Sequence, residues 1–241
     1  MNDLSEKTAV ILAGGLGSRL HPYTLTIPKP LLPLGGTSII EIVIAQLANQ
    51  GFARVIVTLG YMGDMIKFTL GNGERLGLQI EYVTEDEPLG TAGSLYLIDD
   101  LPSEFLVMNG DLLTTFPYSK LLSSLSERGV EAAIASHKRT VNIDYGVLER
   151  DSDGNLLAYT EKPKLDYLVS MGIYALKISA VSNLNGSKLD MPDLLRSIGS
   201  ENRGVYLYES DHYWQDIGRL DDFETAGKDF ESDRQRFLEG K

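Results

Sequence analysis

A glycine-rich segment near the N-terminus places two cations beside a run of flexible backbone. Residues 12–36 read LAGGLGSRLHPYTLTIPKPLLPLGG and follow the apolar run 9–12. Glycine lets the backbone turn sharply and approach a ligand, so several N–H groups can point at one anion. Arg19 supplies a planar fork for phosphate oxygens, and Lys29, held between two prolines, supplies a compact charge. The pattern predicts a phosphate-binding loop, although the glycines alone fit a tight strand-to-helix turn equally well.

This segment matches neither of two common nucleotide-binding loops. The dinucleotide-binding pattern G-x-G-x-x-G, started at Gly15, fails at Leu20, and no Gly-Lys-[Ser/Thr] follows that would make a Walker A loop. The first mismatch disfavours a dehydrogenase. The second leaves Arg19 and Lys29 as the cations that would meet a phosphate.

The elements that position these residues alternate between strand and helix in the first half of the chain. Apolar or alternating runs predict the strands, and a capping box at Ser38 and Glu41 begins the first helix. This alternation predicts an α/β fold with a mostly parallel sheet and helices on both faces. We expect strands over 8–12, 54–59, 78–82 and 104–108, and helices over 39–50, 63–70 and 91–98.

One edge of that sheet is expected to carry the site. Ligands of such sheets lie beyond the carboxyl ends of the strands. The glycine segment follows the first strand, and Asp111 follows the strand over 104–108. The spacing therefore predicts that loop and carboxylate share an edge, although a lone Asp after a strand is commonly a turn residue or helix cap.

The second half of the chain is less regular. A hairpin is expected over 145–160, another strand over 168–176, and helices over 191–198 and 219–238, the last a charged, solvated surface helix. The chain reads as one domain of residues 1–241, with the hairpins forming a subdomain beside the sheet. Its expected parts are a first half over about 8–120, a second half over about 121–226 and a C-terminal helix over 227–241.

Composition narrows the classes of partner. The net charge of −12 would repel nucleic acid and anionic membranes, so neither is expected as a partner. No apolar stretch approaches the roughly 20 residues that span a bilayer, and the first ten residues do not read as a secretory signal. The absence of cysteine excludes disulfides and thiolate chemistry and fits a cytoplasmic enzyme. The sequence leaves a homo-oligomer open.

Several later segments extend the glycine-rich motif in a fixed order. They are 87–93 (EPLGTAG), 109–111 (NGD), 161–163 (EKP), 172–174 (GIY) and 214–218 (WQDIG). With L-A-G-G-x-G-x-R and P-K-P, they resemble the sugar-1-phosphate nucleotidylyltransferases over residues 8 to about 226. These enzymes join a nucleoside triphosphate to a sugar 1-phosphate and release pyrophosphate. The resemblance implies a Rossmann-like three-layer α/β/α sheet with a hairpin-rich sugar-binding subdomain.

The resemblance also implies roles for individual residues, with a nucleoside triphosphate and a sugar 1-phosphate as partners and Mg²⁺ as cofactor. The implied catalytic residues are Arg19, Lys29, Asp111 and Lys162, and the implied metal ligands are Asp111 and Asp216. Nucleotide binding is implied for Leu12, Ala13, Gly14, Gly15, Gly17, Glu85, Gly90 and Thr91. Sugar binding is implied for Asn109, Gly146, Glu161, Ser170 and Gly172.

The motif wording is closest to that of mannose- and heptose-1-phosphate guanylyltransferases, which makes GTP the expected nucleotide. Ser170 departs from the Asn that family members often carry there, which puts the sugar in doubt. The alternatives are a UTP- or CTP-dependent transfer to another sugar phosphate, such as a muramic-acid type, or to a non-sugar phosphate such as phosphocholine. A non-catalytic nucleotide-binding subunit is a further alternative, and the intact Arg19, Lys29, Asp111, Lys162 and Asp216 argue against it.

Overall fold

A computed structural model describes residues 7–239 of the chain. Residues 1–6 of the N-terminal segment, and residues 240 and 241 of the predicted C-terminal helix, lie outside the described part. Within it the strands are β1 (Lys7–Ala13), β2 (Pro33–Leu34), β3 (Thr37–Ser38), β4 (Phe52–Leu59), β5 (Gln79–Thr84), β6 (Glu104–Asn109), β7 (Leu112–Thr114), β8 (Ala132–Asn142), β9 (Val147–Arg150), β10 (Leu156–Thr160), β11 (Lys164–Lys177), β12 (Val205–Glu209) and β13 (Trp214–Asp216).

The helices alternate with these strands in the first half of the chain. They are α1 (Ile39–Asn49), α2 (Gly63–Leu70), α3 (Gly90–Gly93), α4 (Tyr118–Arg128), α5 (Ile178–Val181), α6 (Met191–Ser200), α7 (Leu220–Ser232) and α8 (Arg234–Glu239). Short 3₁₀ turns occupy Ser18–Leu20, Tyr23–Leu25, Lys29–Leu31, Glu74–Leu76 and Ser94–Leu97.

A seven-stranded sheet forms the centre, in the order β12-β8-β11-β6-β1-β4-β5. Its pairings are parallel except those that β11 makes with β6 and β8. The chain runs from β1 to β4 and β5 on one side and returns to β6 on the other. The order therefore reverses between β1 and β6, which is where ligands bind in open α/β sheets. The predicted α/β fold with a mostly parallel sheet is confirmed.

Both faces of the sheet are covered by apolar side chains of helices. On β1, Ala9 and Ile11 lie in a cluster with residues of α1, α2 and α4, while Val10 lies in a second cluster with residues of α3 and α6. All three side chains are fully buried. Alternate residues of a strand point to opposite faces, so a strand buried on both sides reads as a continuous apolar run.

Some elements differ from their sequence-based expectation. The helix expected over 91–98 is one α-helical turn followed by a 3₁₀ turn. The long strand β8 and the helix α4 were not predicted, because α4 is rich in serine and β8 loses its apolar character in its second half. The predicted hairpin forms as β9 and β10.

The expectation of one solvated C-terminal helix over 219–238 is wrong. The segment forms two helices, α7 and α8, which break at Asp233. Phe230 and Phe237 are buried in a third apolar cluster with Leu34 and Ile217. Because the segment is rich in charged residues, it reads as a solvated helix in sequence. The two phenylalanine side chains nevertheless pack α7 and α8 against the rest of the fold.

Candidate active site

A cavity of about 470 Å³ lies at the carboxyl ends of β1, β4 and β6. It contains most of the residues that the sequence motifs singled out for the nucleotide and its phosphates. Those that line it are Leu12, Ala13, Gly14, Gly15, Gly17, Arg19, Lys29, Glu85, Gly90, Thr91, Asn109 and Asp111. Residues separated by about 100 positions in sequence thus meet around one space.

The backbone of the glycine loop is held in a shape that only glycine adopts easily. Gly17 has φ +62°, and a Cβ there would lie 3.1 Å from side-chain carbons of both Lys29 and Thr24. The Thr24 hydroxyl donates to the Gly17 carbonyl over 2.8 Å. A side chain at position 17 would therefore be strained and would push the Lys29 segment away from the loop.

Lys29 and Asp111 form an ion pair inside this cavity. The Lys29 side chain is only 9% exposed and that of Asp111 is 24% exposed. Only Oδ2 of Asp111 takes part in the pair. Oδ1 is buried and has no hydrogen-bond partner in the described part of the chain. A buried carboxylate oxygen without a partner is costly, which indicates a place for a ligand at this atom.

Asp216 approaches the same region from another strand. β13 pairs with β7 so that Asp216 lies opposite Leu112, and the Ile217 N–H donates to the Asp111 carbonyl over 3.2 Å. Asp216 lines a second cavity of about 510 Å³, which shares Arg19 and Gly218 with the first. The two aspartates therefore lie at the boundary between two adjoining cavities.

Burial raises the pKa of the Asp216 carboxyl above its ordinary value, and the charge of Asp111 raises it further. Lys29 and Arg19 act in the opposite direction but do not reverse the shift. The Asp111 and Asp216 carboxylates therefore repel each other, in addition to the cost of burying Asp216. A cation bound there would offset this repulsion.

The residues at this point fit a magnesium ion. Mg²⁺ is usually bound by one or two carboxylates and otherwise by substrate phosphates and water. Asp111 offers a free buried oxygen and Asp216 a second carboxylate. Within residues 7–239, no group of three or more His, Cys, Asp or Glu side chains forms a closed metal site. The arrangement therefore suits a metal that is completed by its substrate.

The opposite wall of the first cavity is built from the turn before α3. The Glu85 carboxylate accepts from the Leu89 N–H over 3.0 Å and lies close to the glycine loop at Gly14. The Thr91 hydroxyl accepts from the Met191 N–H over 2.7 Å. These hydrogen bonds hold the wall rigidly against the start of α6.

Four polar residues that line the cavity were not among the predicted site residues. They are Ser18, Thr58, Ser94 and Asp190. The Ser94 hydroxyl is buried and has no hydrogen-bond partner among the described residues. Ser94 directly follows the EPLGTAG segment, so extending that motif by one residue would have found it. No local signal links Asp190 to the cavity, because it comes from a distant part of the chain.

Asn109 connects the cavity to β11. It lines the cavity, and a Cβ on Gly172 would lie 2.6 Å from its Nδ2. Gly172 has φ +71° at the register shift between Ser170 and Tyr174, so glycine is required there for both space and conformation. Ser170 accepts from the Gly172 N–H over 3.2 Å.

The remaining predicted residues meet at the hairpin of β9 and β10. Tyr159 donates to Glu161 Oε2 over 3.0 Å, and a Cβ on Gly146 would clash with the Tyr159 hydroxyl. The Lys162 N–H donates to the Tyr145 carbonyl over 3.3 Å, and Lys162 has φ +45°. Gly146, Glu161 and Lys162 are therefore brought together, but they do not line the cavity of the glycine loop.

The sequence matches a known family along nearly its whole length. Residues 8–233 match the family model described as Nucleotidyl transferase. The chain belongs to the nucleotidyl transferase family. Within residues 7–239 there is no helix that is long and apolar enough to cross a membrane.

Curated relatives of this chain act on a sugar phosphate, as their names state. The mannose-1-phosphate guanylyltransferase catalytic subunit beta of Drosophila pseudoobscura pseudoobscura is 30% identical over 225 residues, covering 90% of this chain and 61% of the relative. The mannose-1-phosphate guanyltransferase of Saccharomyces cerevisiae is 31% identical over 223 residues, which cover 89% of this chain and 62% of the relative. The chain thus spans about three fifths of the length of these relatives.

Solved structures show the same fold as this nucleotidyl transferase. HddC from Yersinia pseudotuberculosis matches with a TM-score of 0.71 and 26% identity, covering 93% of this chain and 99% of HddC. HddC complexed with GMP-PN matches with a TM-score of 0.69 and 25% identity, and the match again covers 93% of this chain and 99% of HddC.

Proposed function

We propose that this protein transfers a guanylyl group from GTP to a mannose- or heptose-type sugar 1-phosphate, releasing pyrophosphate. The single observation that carries the proposal is the cavity in which the glycine loop, Arg19, the Lys29–Asp111 pair and Asn109 meet. Family membership supports nucleotidyl transfer as the reaction class. The names of the relatives support the guanine base and the sugar phosphate.

The reaction asks for positioning and charge neutralisation. The attacking oxygen of a sugar phosphate is already anionic, so no strong general base is needed. Two polyanions must instead be held together while charge develops on the α-phosphate and the departing pyrophosphate. Orienting two reactants can lower a barrier by about 7–11 kcal/mol. A cavity with several N–H groups and two cations serves this need.

Each group of cavity residues has a proposed part in this reaction. The N–H groups of Gly14, Gly15 and Gly17, with Arg19, wrap the triphosphate, and Lys29 neutralises the α-phosphate. Leu12, Ala13, Glu85, Gly90 and Thr91 hold the nucleoside. Asp111 and Asp216 would hold Mg²⁺, which when bound supplies positive charge to the phosphates.

The sugar 1-phosphate is proposed to bind between Asn109 and the hairpin. Lys162 would neutralise its phosphate, and Glu161 and Gly146 would meet its hydroxyls, with Ser170 and Gly172 on the adjoining strand. The contact of Gly172 with Asn109 supports this, because it joins β11 to the cavity. The short Ser170 side chain leaves more space there than Asn would.

A substrate panel tests the nucleotide and the acceptor together. GTP, UTP, CTP and dTTP are each incubated with mannose 1-phosphate, a heptose 1-phosphate, a muramic-acid-type sugar phosphate and phosphocholine, and pyrophosphate release is measured. Highest kcat/KM with GTP and one of the first two acceptors supports the proposal. Best turnover with CTP and phosphocholine, or with UTP and a muramic-acid-type acceptor, would replace it.

The variant Asp111→Asn tests whether the pair in the cavity is catalytic. The change removes the negative charge that faces Lys29 and replaces one carboxylate oxygen with an amide group, so pyrophosphate release is expected to fall by about a hundredfold to a thousandfold, the range seen when one electrostatic group is removed from an active site. The folded structure is checked by circular dichroism. Asp64→Asn, at an exposed carboxylate outside the cavity, should retain wild-type activity. Wild-type turnover by Asp111→Asn would reject the role.

Two further predictions concern the whole protein. Cytoplasmic localisation rests on the lack of cysteine, and it can be measured by cell fractionation. Light scattering measures the molar mass in solution and so tests whether the protein forms a homo-oligomer.

A further inference from the structure

The first cavity carries two carboxylates that no cation of the protein neutralises. Its basic side chains are Arg19 and Lys29, and Lys29 is paired with Asp111. The remaining titratable residues that line it are Glu85 and Asp190, and we call their side of the cavity the acidic wall. Within residues 7–239, neither of these two forms an ion pair. The acidic wall therefore offers hydrogen-bond acceptors to a ligand.

Asp190 reaches the acidic wall from the start of α6. It occupies the N-cap position of that helix, where an aspartate side chain ordinarily accepts from N–H groups of the first turn. Here the side chain makes no such hydrogen bond. Pro192 has no N–H, and the Asp193 N–H donates to the Asp190 carbonyl over 3.0 Å. The carboxylate is therefore not needed as a cap and faces the cavity instead.

The two oxygens of Asp190 have different surroundings. The Thr91 N–H donates to Oδ1 over 3.2 Å, and a Cβ on Gly90 would lie 2.8 Å from the same oxygen. The side-chain hydrogen bonds of Asp190 within residues 7–239 all go to Oδ1, so Oδ2 has no partner there. Because Thr91 holds the carboxylate by Oδ1, Oδ2 is the oxygen left for a ligand in the cavity.

A second polar group on this side of the cavity also lacks a partner. Ser94 directly follows α3 and is 1% exposed, and it lines the cavity. Its Oγ has no hydrogen-bond partner in the described part of the chain. Buried polar groups are normally satisfied, so this side of the cavity is suited to a ligand with a polar edge.

Carboxylate oxygens discriminate among bases by the donors that each base carries. Guanine presents two adjacent donors on one edge, the N1–H and the exocyclic amino group at C2. Uracil and thymine present a single N–H between two carbonyl acceptors, and adenine and cytosine each present an amino group beside a ring-nitrogen acceptor. An acceptor of any of these bases would face a carboxylate oxygen unfavourably. The acidic wall therefore favours guanine.

We propose that Asp190 selects guanine by accepting a hydrogen bond at Oδ2 from the amino group at C2 of the base. This rests on the proposed function, since it names the residue that makes GTP the preferred nucleotide. With the base at the acidic wall, the triphosphate extends toward Arg19 and Lys29. One orientation of the nucleotide then meets charges of the complementary sign at both of its ends.

Nucleotides that differ only at C2 test this contact. ITP lacks the amino group of GTP, and XTP has an oxygen in its place. Each is titrated by calorimetry into wild type, Asp190→Asn and Asp190→Ala in magnesium buffer without a sugar phosphate, so that no transfer occurs. In the wild type, the Kd for ITP should exceed that for GTP by about tenfold to a hundredfold, the range of a hydrogen bond to a charged group.

Both variants should lose this preference for GTP over ITP. In Asp190→Asn the Thr91 N–H retains the amide oxygen, so the amide NH₂ group points at the amino group of guanine. The Kd for GTP should rise by about the factor that separates GTP from ITP in the wild type, while the Kd for ITP stays within about twofold. XTP should bind Asp190→Asn more tightly than it binds the wild type, because the amide donates to the oxygen at C2.

Asp193→Asn is the matched control. It makes the same change at a carboxylate of α6 that is paired with Arg196 and lies outside the cavity. The control should keep the wild-type ratio of the two dissociation constants. Thermal melts establish that each variant is folded.

The outcomes separate this proposal from the proposed function. An unchanged ratio of the Kd values for ITP and GTP in the folded Asp190 variants would overturn the role of Asp190 and leave GTP as the nucleotide. Tight binding of GTP and ITP with equal Kd values in the wild type would overturn it as well. Weak binding of both, together with turnover of UTP or CTP in the substrate panel, would refute the proposed function and the selection of guanine with it.

Discussion

Lys29 and Asp111 show how one buried contact organises the site. Each was singled out from the sequence for a different reason, the first by its flanking prolines and the second by its place after a strand. Their pairing was not visible in sequence, because it depends on β1 lying next to β6. An ion pair this well shielded from water is costly to break on one side only, since a buried charge is left behind.

Ser94 carries a prediction about stability as well as binding. Its hydroxyl is buried and has no hydrogen-bond partner within residues 7–239, and such a group costs about 1–3 kcal/mol. We therefore expect Ser94→Ala to leave the melting temperature unchanged or to raise it. Because Ser94 lines the cavity, the same change should raise the Kd for GTP about threefold to tenfold through loss of one hydrogen bond. Melts and calorimetry measure the two effects.

Ser182→Ala is the control for this prediction. Ser182 is exposed, and its hydroxyl donates to the Ser179 carbonyl over 3.0 Å. It should leave the Kd for GTP unchanged. A clear loss of stability in Ser94→Ala would show that the hydroxyl has a partner inside the folded protein, and wild-type affinity for GTP would show that it does not contact the nucleotide.

At the scale of elements, α1 depends on its capping box. Ser38 Oγ accepts from the Glu41 N–H, and Glu41 accepts from the Ser38 N–H over 3.2 Å. Burial raises the pKa of the Glu41 carboxyl, but hydrogen bonds from Ser38 and Arg75 outweigh burial and lower it below 4.5. Only the short strands β2 and β3 separate α1 from the Lys29 turn, and the Ile39 N–H donates to the Leu32 carbonyl. The cap therefore supports the strand-to-helix connection that holds Lys29.

Glu41→Gln is expected to destabilise the protein in a pH-dependent way. The folded-state pKa lies below the unfolded value, so the carboxylate contributes stability above about pH 4.5 and loses it as the pH falls further. The variant should have a lower melting temperature than the wild type at pH 7, and the difference between the two melting temperatures should shrink toward pH 3. Thermal melts across this range measure it. Glu74→Gln, at an exposed carboxylate near Arg75, should show no such trend, and an equal difference at pH 7 and pH 3 would contradict the prediction.

The difference between α3 and its predicted form also belongs to this scale. The sequence over 91–98 has helical spacing, but Gly90 has φ +80° and would meet the Leu189 carbonyl if it carried a Cβ. The N–H groups of Ala92 and Gly93 both donate to that carbonyl. A distant segment therefore satisfies N–H groups in the first turn of α3, which have no partner within the helix itself. This constraint shapes the cavity wall and lies beyond local propensity.

At the scale of the whole molecule, the C-terminal helices pack against α1 and against the segment that leads into β13. The Phe237 ring lies 5.1 Å from that of Tyr213 and 5.9 Å from that of Phe230. Gln46 Nε2 of α1 donates to the Phe237 carbonyl over 2.7 Å. Because Tyr213 directly precedes β13, these contacts link the end of the chain to the strand that carries Asp216.

Phe237→Ala should therefore destabilise the whole protein. The ring is 1% exposed, and removal of a buried phenylalanine typically costs about 3–5 kcal/mol. Urea denaturation should show a lower midpoint, and the loss of packing near β13 should lower activity in proportion to the unfolded fraction. Leu220→Ala, at a side chain that is 41% exposed on α7, should cost clearly less. Equal effects of the two variants would show that α8 does not stabilise the fold.

The sequence by itself determined the features that local chemistry encodes. The glycine loop, the prolines around Lys29, the capping box of α1 and the alternation of strand and helix all depend on neighbouring residues, so they could be read directly. They were sufficient to predict the α/β fold, while most residues around the first cavity were named through the resemblance that the ordered motifs carry. The order of the motifs pointed to the family.

Only the tertiary structure decided which of these residues meet. The antiparallel insertion of β11 and the approach of Asp216 to Asp111 depend on pairings between strands far apart in sequence. The same is true of the buried aromatic residues of α7 and α8. Such contacts form because burial and backbone pairing are satisfied across the whole sheet, and no short window of sequence carries that information.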